Sequence, residues 1–227
     1  LLLGLSASEQ QKYPGRHSAF FQLPSPNTYK LKLKFSAMVD GFMANRVGIT
    51  EHFLSDSLCT GLLLNLQRIF NDHQFKAAGT GDSEHLLYRQ NFRGDFIYWL
   101  DREHQDEFEN QFFDLMDAFV LYLNETCYTG ILNYEFHYTR YETGTFYKKH
   151  LDQFKNNDKR KYSMIVYLNH DWLDQEGGAL CIHFADGLQL IYPHIGKAVF
   201  FQSNELEHEV LIASRPRFSI TGWLKVE

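Results

Sequence analysis

The residues of this 227-residue chain that could hold a metal ion are two histidines and an acid. A non-haem iron centre needs two imidazoles and one carboxylate on one face, with positions left open for a co-substrate and for oxygen. A His-x-Asp pair on a strand supplies two of these, because residues i and i+2 project to the same side. The sequence holds two such pairs, His104-Gln105-Asp106 and His150-Leu151-Asp152. With 11 histidines present, about one match arises by chance, so context has to separate them. His104 falls at the start of a predicted helix in an acidic stretch, where i and i+2 diverge by more than half a turn, and it reads as part of a solvated face. His150 follows a strand and the aromatic turn Tyr141-Glu-Thr-Gly-Thr-Phe-Tyr147 and precedes a polar loop. Taken alone it reads equally well as a hydrogen-bonded surface histidine. His208 follows the apolar run Ala198-Val-Phe-Phe201 and precedes another strand, and with His150 and Asp152 it completes a triad.

A dicarboxylate bound deep in a barrel needs a fixed cation, since an unpaired buried carboxylate is costly. Arg217 stands nine residues after His208, in Arg215-Pro-Arg217-Phe-Ser-Ile-Thr-Gly-Trp223. Strand alternation puts Arg217, Ser219, Thr221 and Trp223 on one face, with Phe218 and Ile220 on the other. An arginine turned inward beside hydroxyls can fork onto a carboxylate. Arg215, before Pro216, suits a turn at the surface. Tyr167, in a strand, could donate its hydroxyl to the same carboxylate or be plain core.

The elements that must position these groups follow from periodicity. Ser55 or Asp56 caps a helix whose apolar positions Leu58, Leu62, Leu66 and Ile69 recur at helical spacing. A second helix is expected over about Glu103–Asn124, with Phe108, Phe112, Leu115, Phe119 and Leu123 on one face. From Ile131 onward the period becomes two, with strands expected at Ile131–Thr139, Lys161–Leu168, Ala179–His183, Leu188–Tyr192, Lys197–Gln202 and Arg217–Val226. Helices first and many short strands afterwards describe an α+β chain: a double-stranded β-helix (jelly-roll) barrel with the N-terminal helices packed outside. Residues 1–45 read as an N-terminal arm carrying Pro14-Gly15, Pro24, Pro26 and a strand-like run Lys30-Leu-Lys-Leu-Lys34; residues 46–227 read as the main domain.

Composition narrows the classes. Lys+Arg is 22 and Asp+Glu is 28, a net charge of −6, which lacks a general attraction to nucleic acid or anionic membrane. The three cysteines, Cys59, Cys127 and Cys181, form no CxxC pair or disulfide framework, as expected of a reducing compartment. The start, Leu1-Leu-Leu-Gly-Leu-Ser-Ala-Ser8, has too short an apolar run and no basic region for a signal peptide, and no stretch has the length of a membrane span.

The ordered set His150-x-Asp152, Tyr167, His208 and Arg217 resembles the prolyl 4-hydroxylases of the iron(II)- and 2-oxoglutarate-dependent oxygenases, and is most similar to the hypoxia-inducible-factor type. Supporting strings are Arg93-Gly-Asp95-Phe-Ile-Tyr-Trp99, Tyr167-Leu-Asn-His-Asp-Trp172, Gly177-Gly178-Ala-Leu180 and His208-Glu-Val210, spread from about Gly48 to Val226. The resemblance implies iron(II) on His150, Asp152 and His208. It implies 2-oxoglutarate with its far carboxylate on Arg217 and Tyr167 and with Thr221 nearby, O2 as second co-substrate, and ascorbate in support. The implied reaction releases succinate and CO2 and hydroxylates carbon 4 of a proline in a protein or peptide, a chemistry suited to oxygen sensing. Arg93 and Asp95 are implied to support the site and a substrate loop, with Tyr141, Trp223 and Trp99 as walls or core. Collagen-type prolyl hydroxylases generally carry lysine where Arg217 stands, which implies the cytoplasmic branch, or a nuclear one in a eukaryote.

The chain departs from the family in the loop Gln153–Lys161, which has no glycine and carries Lys155, Lys159, Arg160 and Lys161. It reads as a mobile basic lid suited to an acidic or polar segment of a partner protein. Two competing readings remain: the same chemistry on a small molecule or another side chain, and a non-catalytic metal-binding interaction module. A zinc hydrolase could use two His and an Asp but would not need Arg217 and Tyr167 arranged for a dicarboxylate.

Overall fold

The computed structural model of the chain describes residues 26–79, 91–153 and 159–227. Helix α1 (Pro26–Asn45) leads into strand β1 (Val47–Thr50) and helix α2 (Asp56–Asn71). Strands β2 (Lys76–Ala77) and β3 (Asp95–Trp99) precede helix α3 (Glu107–Cys127). Then come β4 (Asn133–Tyr141), β5 (Tyr147–His150), β6 (Arg160–Tyr167), β7 (Leu180–Phe184), β8 (Gly187–Ile191), β9 (Ala198–Gln202), β10 (His208–Val210) and β11 (Arg217–Lys225). They form a larger sheet in the order β1-β9-β6-β11-β4-β3-β2 and a smaller one in the order β5-β10-β7-β8. All pairings within these sheets are antiparallel.

The alternation of β6 and β9 feeds two cores at once. Ile165, Tyr167, Val199 and Phe201 turn toward the smaller sheet and meet Leu180, Ile182, Ile191 and Val210 from it. Met164, Val166, Ala198 and Phe200 turn the other way, under the helices, against Phe35, Met38, Phe112 and Phe119. Strands buried on both faces read as continuous apolar runs, which is why these two stand out in the sequence. The expected jelly roll with external helices is therefore the architecture, and the strands read from alternation agree with β4, β6, β7, β8, β9 and β11 to within two residues.

The helices show two corrections. The run Lys30–Lys34 is not a strand but lies in α1. Its local alternation is outweighed by Leu31, Phe35, Met38 and Phe42, which recur at helical spacing; Phe35 and Met38 are fully buried while Leu33 faces solvent. α1 can lie on β1 because Gly48 has no side chain: a Cβ there would come within 2.2 Å of the Met38 carbonyl oxygen. The second predicted helix begins at Glu107 and not near Glu103. Asp106 caps it by accepting from the backbone N–H groups of Phe108 and Glu109, both at 3.0 Å, after a 3-10 turn over Arg102–His104. α2 begins as expected, with the Ser55 hydroxyl accepting from Leu58 N at 3.3 Å.

Pro14-Gly15, Pro24 and residues 154–158 of the predicted lid lie outside the described residues. Arg160 and Lys161 belong to β6. Cys59, Cys127 and Cys181 are free thiols. Among the described residues no helix is long and apolar enough to cross a membrane.

Phe119 joins helix to sheet, with its ring 5.0 Å from Phe35, 5.9 Å from Phe53 and 5.5 Å from Phe200. Phe119→Ala should cost about 3–5 kcal/mol of stability, read as a lower urea midpoint at unchanged slope.

Candidate metal centre

His150 ends β5 and His208 opens β10, where the two residues are cross-strand partners in the smaller sheet. Asp152 lies just beyond the end of β5, so the chain bend and not strand alternation turns it toward them. Its Oδ1 is 3.4 Å from His150 Nε2 and its Oδ2 is 3.6 Å from His208 Nε2. In each histidine Nδ1 faces a backbone carbonyl: Lys148 at 2.7 Å for His150 and Leu206 at 3.0 Å for His208. A carbonyl only accepts, so Nδ1 carries the proton and the Nε2 lone pair is directed at the shared space. Two imidazole nitrogens and one carboxylate converge there, with ligand atoms within 4.8 Å of one another. This donor set fits iron(II).

Burial alone would raise the Asp152 carboxyl, but His208 and then His150 hold it well below the usual carboxylate range. Burial lowers the His150 imidazole, only partly opposed by Asp152, whereas at His208 the Asp152 charge outweighs burial and raises it. The carboxylate is fixed from behind. Ser163 Oγ donates to Asp152 Oδ2 at 2.6 Å, and Ser203 Oγ lies 2.9 Å from Ser163 Oγ. With Ser163's only proton committed to Asp152, Ser203 is the donor in that second contact.

His150 is held on its other flank by a stack. The Tyr147 ring lies 3.5 Å from the imidazole at 15°. The Arg93 guanidinium sits 4.2 Å over the Tyr147 ring, and Asp95, itself buried, clamps Arg93 through two hydrogen bonds of 2.7 and 2.5 Å. Asp95, Arg93 and Tyr147 thus form a continuous run of contacts that ends on the His150 ring.

Arg217 opens β11 opposite Tyr141 of β4 and is buried. Its Nε donates to the Gly178 carbonyl at 2.9 Å, and Gly178 holds that carbonyl in place from a backbone with φ +68°, where a side chain would be strained. The guanidinium carbon lies 5.0 Å from the Tyr167 ring and 5.2 Å from the Tyr141 ring. Among the described residues, three buried side-chain polar atoms have no hydrogen-bond partner: Tyr167 Oη, Arg217 Nη2 and Trp223 Nε1. A buried guanidinium N–H beside an unpartnered phenol is a cradle for a carboxylate. Thr221 joins the same wall, its hydroxyl 3.3 Å from Thr139 Oγ1. One cavity of about 770 Å³ is lined by the triad, Arg217, Thr221 and Trp223.

All the predicted site residues therefore gather in or beside this cavity; His104 of the decoy pair also reaches its lining, but neither it nor Asp106 joins the metal-ligand set. His104 is 2.8 Å from Glu109 and Asp106 is used as a cap. Arg215 stays in the turn, donating to the His170 carbonyl at 2.9 Å. Sequence reasoning did not find Tyr147, because a register irregularity between His208 and Val210 lets it share a side with His150 three positions on. It also did not find Ser163, Ser203 or His137, which are ordinary strand or loop residues until the sheets pair.

A jelly-roll barrel with a His-Asp-His centre and a buried arginine defines the class of non-haem metal-dependent oxygenases. The description of the 2OG-Fe(II) oxygenase superfamily matches residues 136–225. A Pseudomonas putida prolyl-4-hydroxylase structure is 34% identical, with a TM-score of 0.76 over 85% of this chain and 99% of that one. A Trichoplax adhaerens prolyl hydroxylase, solved with a hypoxia-inducible factor oxygen degradation domain peptide fragment, shares the fold at 21% identity, with a TM-score of 0.79 over 90% of this chain and 94% of that one. A PKHD-type hydroxylase from Acaryochloris marina is 28% identical over 89 residues, which are 39% of this chain and 40% of that relative's length. The chain belongs to the 2OG-Fe(II) oxygenase superfamily.

His137 lines the cavity between Trp99 and Trp223, and burial first, then Arg93, pushes its imidazole from 6.5 down to about 4. Between those values the unfolded chain binds more protons, so this contribution to stability is fully present above about pH 6.5 and is lost as pH falls through about 4. Urea unfolding at about pH 7 and about pH 4 should show a drop that is roughly 3 kcal/mol smaller in His137→Asn than in the parent. An equal drop in both would mean that His137 is not held neutral.

Proposed function

We propose that the chain is an iron(II)- and 2-oxoglutarate-dependent dioxygenase that hydroxylates carbon 4 of a proline in a protein target. The observation that carries this reading is the pairing, in one cavity, of the His150-Asp152-His208 donor set with a buried guanidinium and a phenol that lack acceptor and partner. His150, Asp152 and His208 would hold the metal, and Arg217 with Tyr167 would receive the far carboxylate of 2-oxoglutarate. Iron(II) and 2-oxoglutarate, when bound, supply the activation of dioxygen, with succinate and CO2 as products.

The chain's own residues bind, orient and shield. Arg217 is preorganised by its bond to the Gly178 carbonyl, so the dicarboxylate is fixed at one end with little reorganisation. Burial pushes the Tyr167 phenol above its ordinary value, with the Arg217 charge opposing, so the hydroxyl is a proton donor at neutral pH. Ile165, Leu180 and Val210 line the wall between and keep water away. The cavity continues to the exposed rings and side chains of Trp99 and Leu151, which leaves room for a peptide-borne pyrrolidine ring against aromatic surface. The likeness to the Pseudomonas putida prolyl-4-hydroxylase supports proline over other side chains. A cytoplasmic or nuclear setting and an oxygen-sensing role belong to the same proposal.

Anaerobic titration with iron(II) and 2-oxoglutarate should produce a visible metal-to-ligand charge-transfer band. The band should be absent in His150→Ala, and in Arg217→Ala the affinity for 2-oxoglutarate should fall at least about thirtyfold, the loss of roughly 2 kcal/mol or more expected when a buried charge pair is broken. Retention of full affinity in Arg217→Ala would refute the co-substrate assignment. Proline-bearing peptides gaining one oxygen by mass spectrometry would identify the substrate class, and gain on a small molecule alone would replace it.

A further inference from the structure

The smaller sheet carries a second set of metal-binding side chains on the face turned away from the first. Along β7, Leu180 and Ile182 point into the barrel core, so Cys181 and His183 point outward together. On β10 the inward residues are His208 and Val210, and Glu209 points outward. Glu209 is the direct cross-strand partner of Cys181, and the His183 N–H donates to the Glu207 carbonyl at 2.9 Å, which locks the register. The three ligand atoms of Cys181, His183 and Glu209 lie within 4.8 Å of one another.

We propose that Cys181, His183 and Glu209 form a zinc(II) site, with the fourth position open to water or an exogenous ligand. The distances support it. Cys181 Sγ is 3.9 Å from His183 Nε2, and His183 Nε2 is 2.9 Å from Glu209 Oε1. Tetrahedral zinc with ordinary bond lengths places such atoms about 3.4–3.6 Å apart. The thiol must approach by a few tenths of an ångström and the His–Glu pair must open by about half an ångström, both within side-chain rotation. The donor types select the ion: a sulfur beside an imidazole and a carboxylate suits zinc better than iron(II), whereas the sulfur-free set inside the barrel does not discriminate this way. Exposure suits an exchangeable position, since the thiol is buried while the His183 and Glu209 side chains are 23% and 29% exposed. Nothing in the hydroxylation chemistry uses these three residues.

Cobalt(II) is the probe that separates the two sites, because only a sulfur ligand gives thiolate-to-cobalt charge-transfer absorption. Titration of the whole chain should develop that absorption, and zinc should abolish it by displacement. Cys181→Ser should remove it, Cys127→Ser should leave it unchanged, and His183→Gln and Glu209→Gln should each weaken zinc binding at least tenfold. His183→Gln also decides the matter if Cys181→Ser does not fold, since its ring is partly solvent-facing. Absence of the band, or its survival in Cys181→Ser, or its loss in Cys127→Ser, would overturn the site and leave His183 and Glu209 as a hydrogen-bonded pair.

Discussion

A guanidinium buried in the barrel with its Nη2 group left without an acceptor is the constraint to which the rest of the structure answers. Burying a charge without compensation costs several kcal/mol, and the fold spends backbone and ring contacts on Arg217 without completing its hydrogen bonds. The Gly178 carbonyl holds Nε, and the faces of Tyr141 and Tyr167 cover the guanidinium plane. Gly178 itself must take a left-handed backbone between Trp172 and Ala213 to offer that carbonyl. The arrangement is complete only with a carboxylate present, so the folding of this wall and the binding of a dicarboxylate are one problem.

The metal ligands are solved in a complementary way. Asp152 is anionic and buried, and two hydroxyls in series, Ser163 and Ser203, orient it from the larger sheet. His150 and His208 come from the smaller sheet, each with its Nδ1 proton tied to a carbonyl two residues earlier. The centre thus bridges both sheets, and it can form only when the two pack face to face. Helices α1, α2 and α3 matter indirectly: they bury the back of the larger sheet and leave its front free to line the cavity.

The smaller sheet works on both faces. Its inward residues close the barrel over the metal ligands, and its outward residues gather a thiol, an imidazole and a carboxylate at adjacent positions of the same two strands. Because β10 alternates His208 with Glu209, the inner ligand set and the outer cluster are built from neighbouring residues of one short strand.

The sequence by itself put His150, Asp152, His208, Arg217 and Tyr167 forward as candidates by residue type and spacing, and the family resemblance joined them, with Thr221, into one set. The sequence also placed strands β6 and β9, expected at Lys161–Leu168 and Lys197–Gln202, while their burial on both faces emerged only from the packing. What it misread was decided by competition between local and tertiary terms. Lys30–Lys34 alternates like a strand, yet packing of Phe35 and Met38 against the sheet makes it helix. Only the tertiary structure decided the short strands β1, β2, β3, β5 and β10, which are held by partners and not by intrinsic preference. It alone brought Tyr147 beneath His150, Ser163 to Asp152, and Glu209 to Cys181. Those contacts join residues that are distant in sequence or related by an irregular register, and no local pattern carries that information.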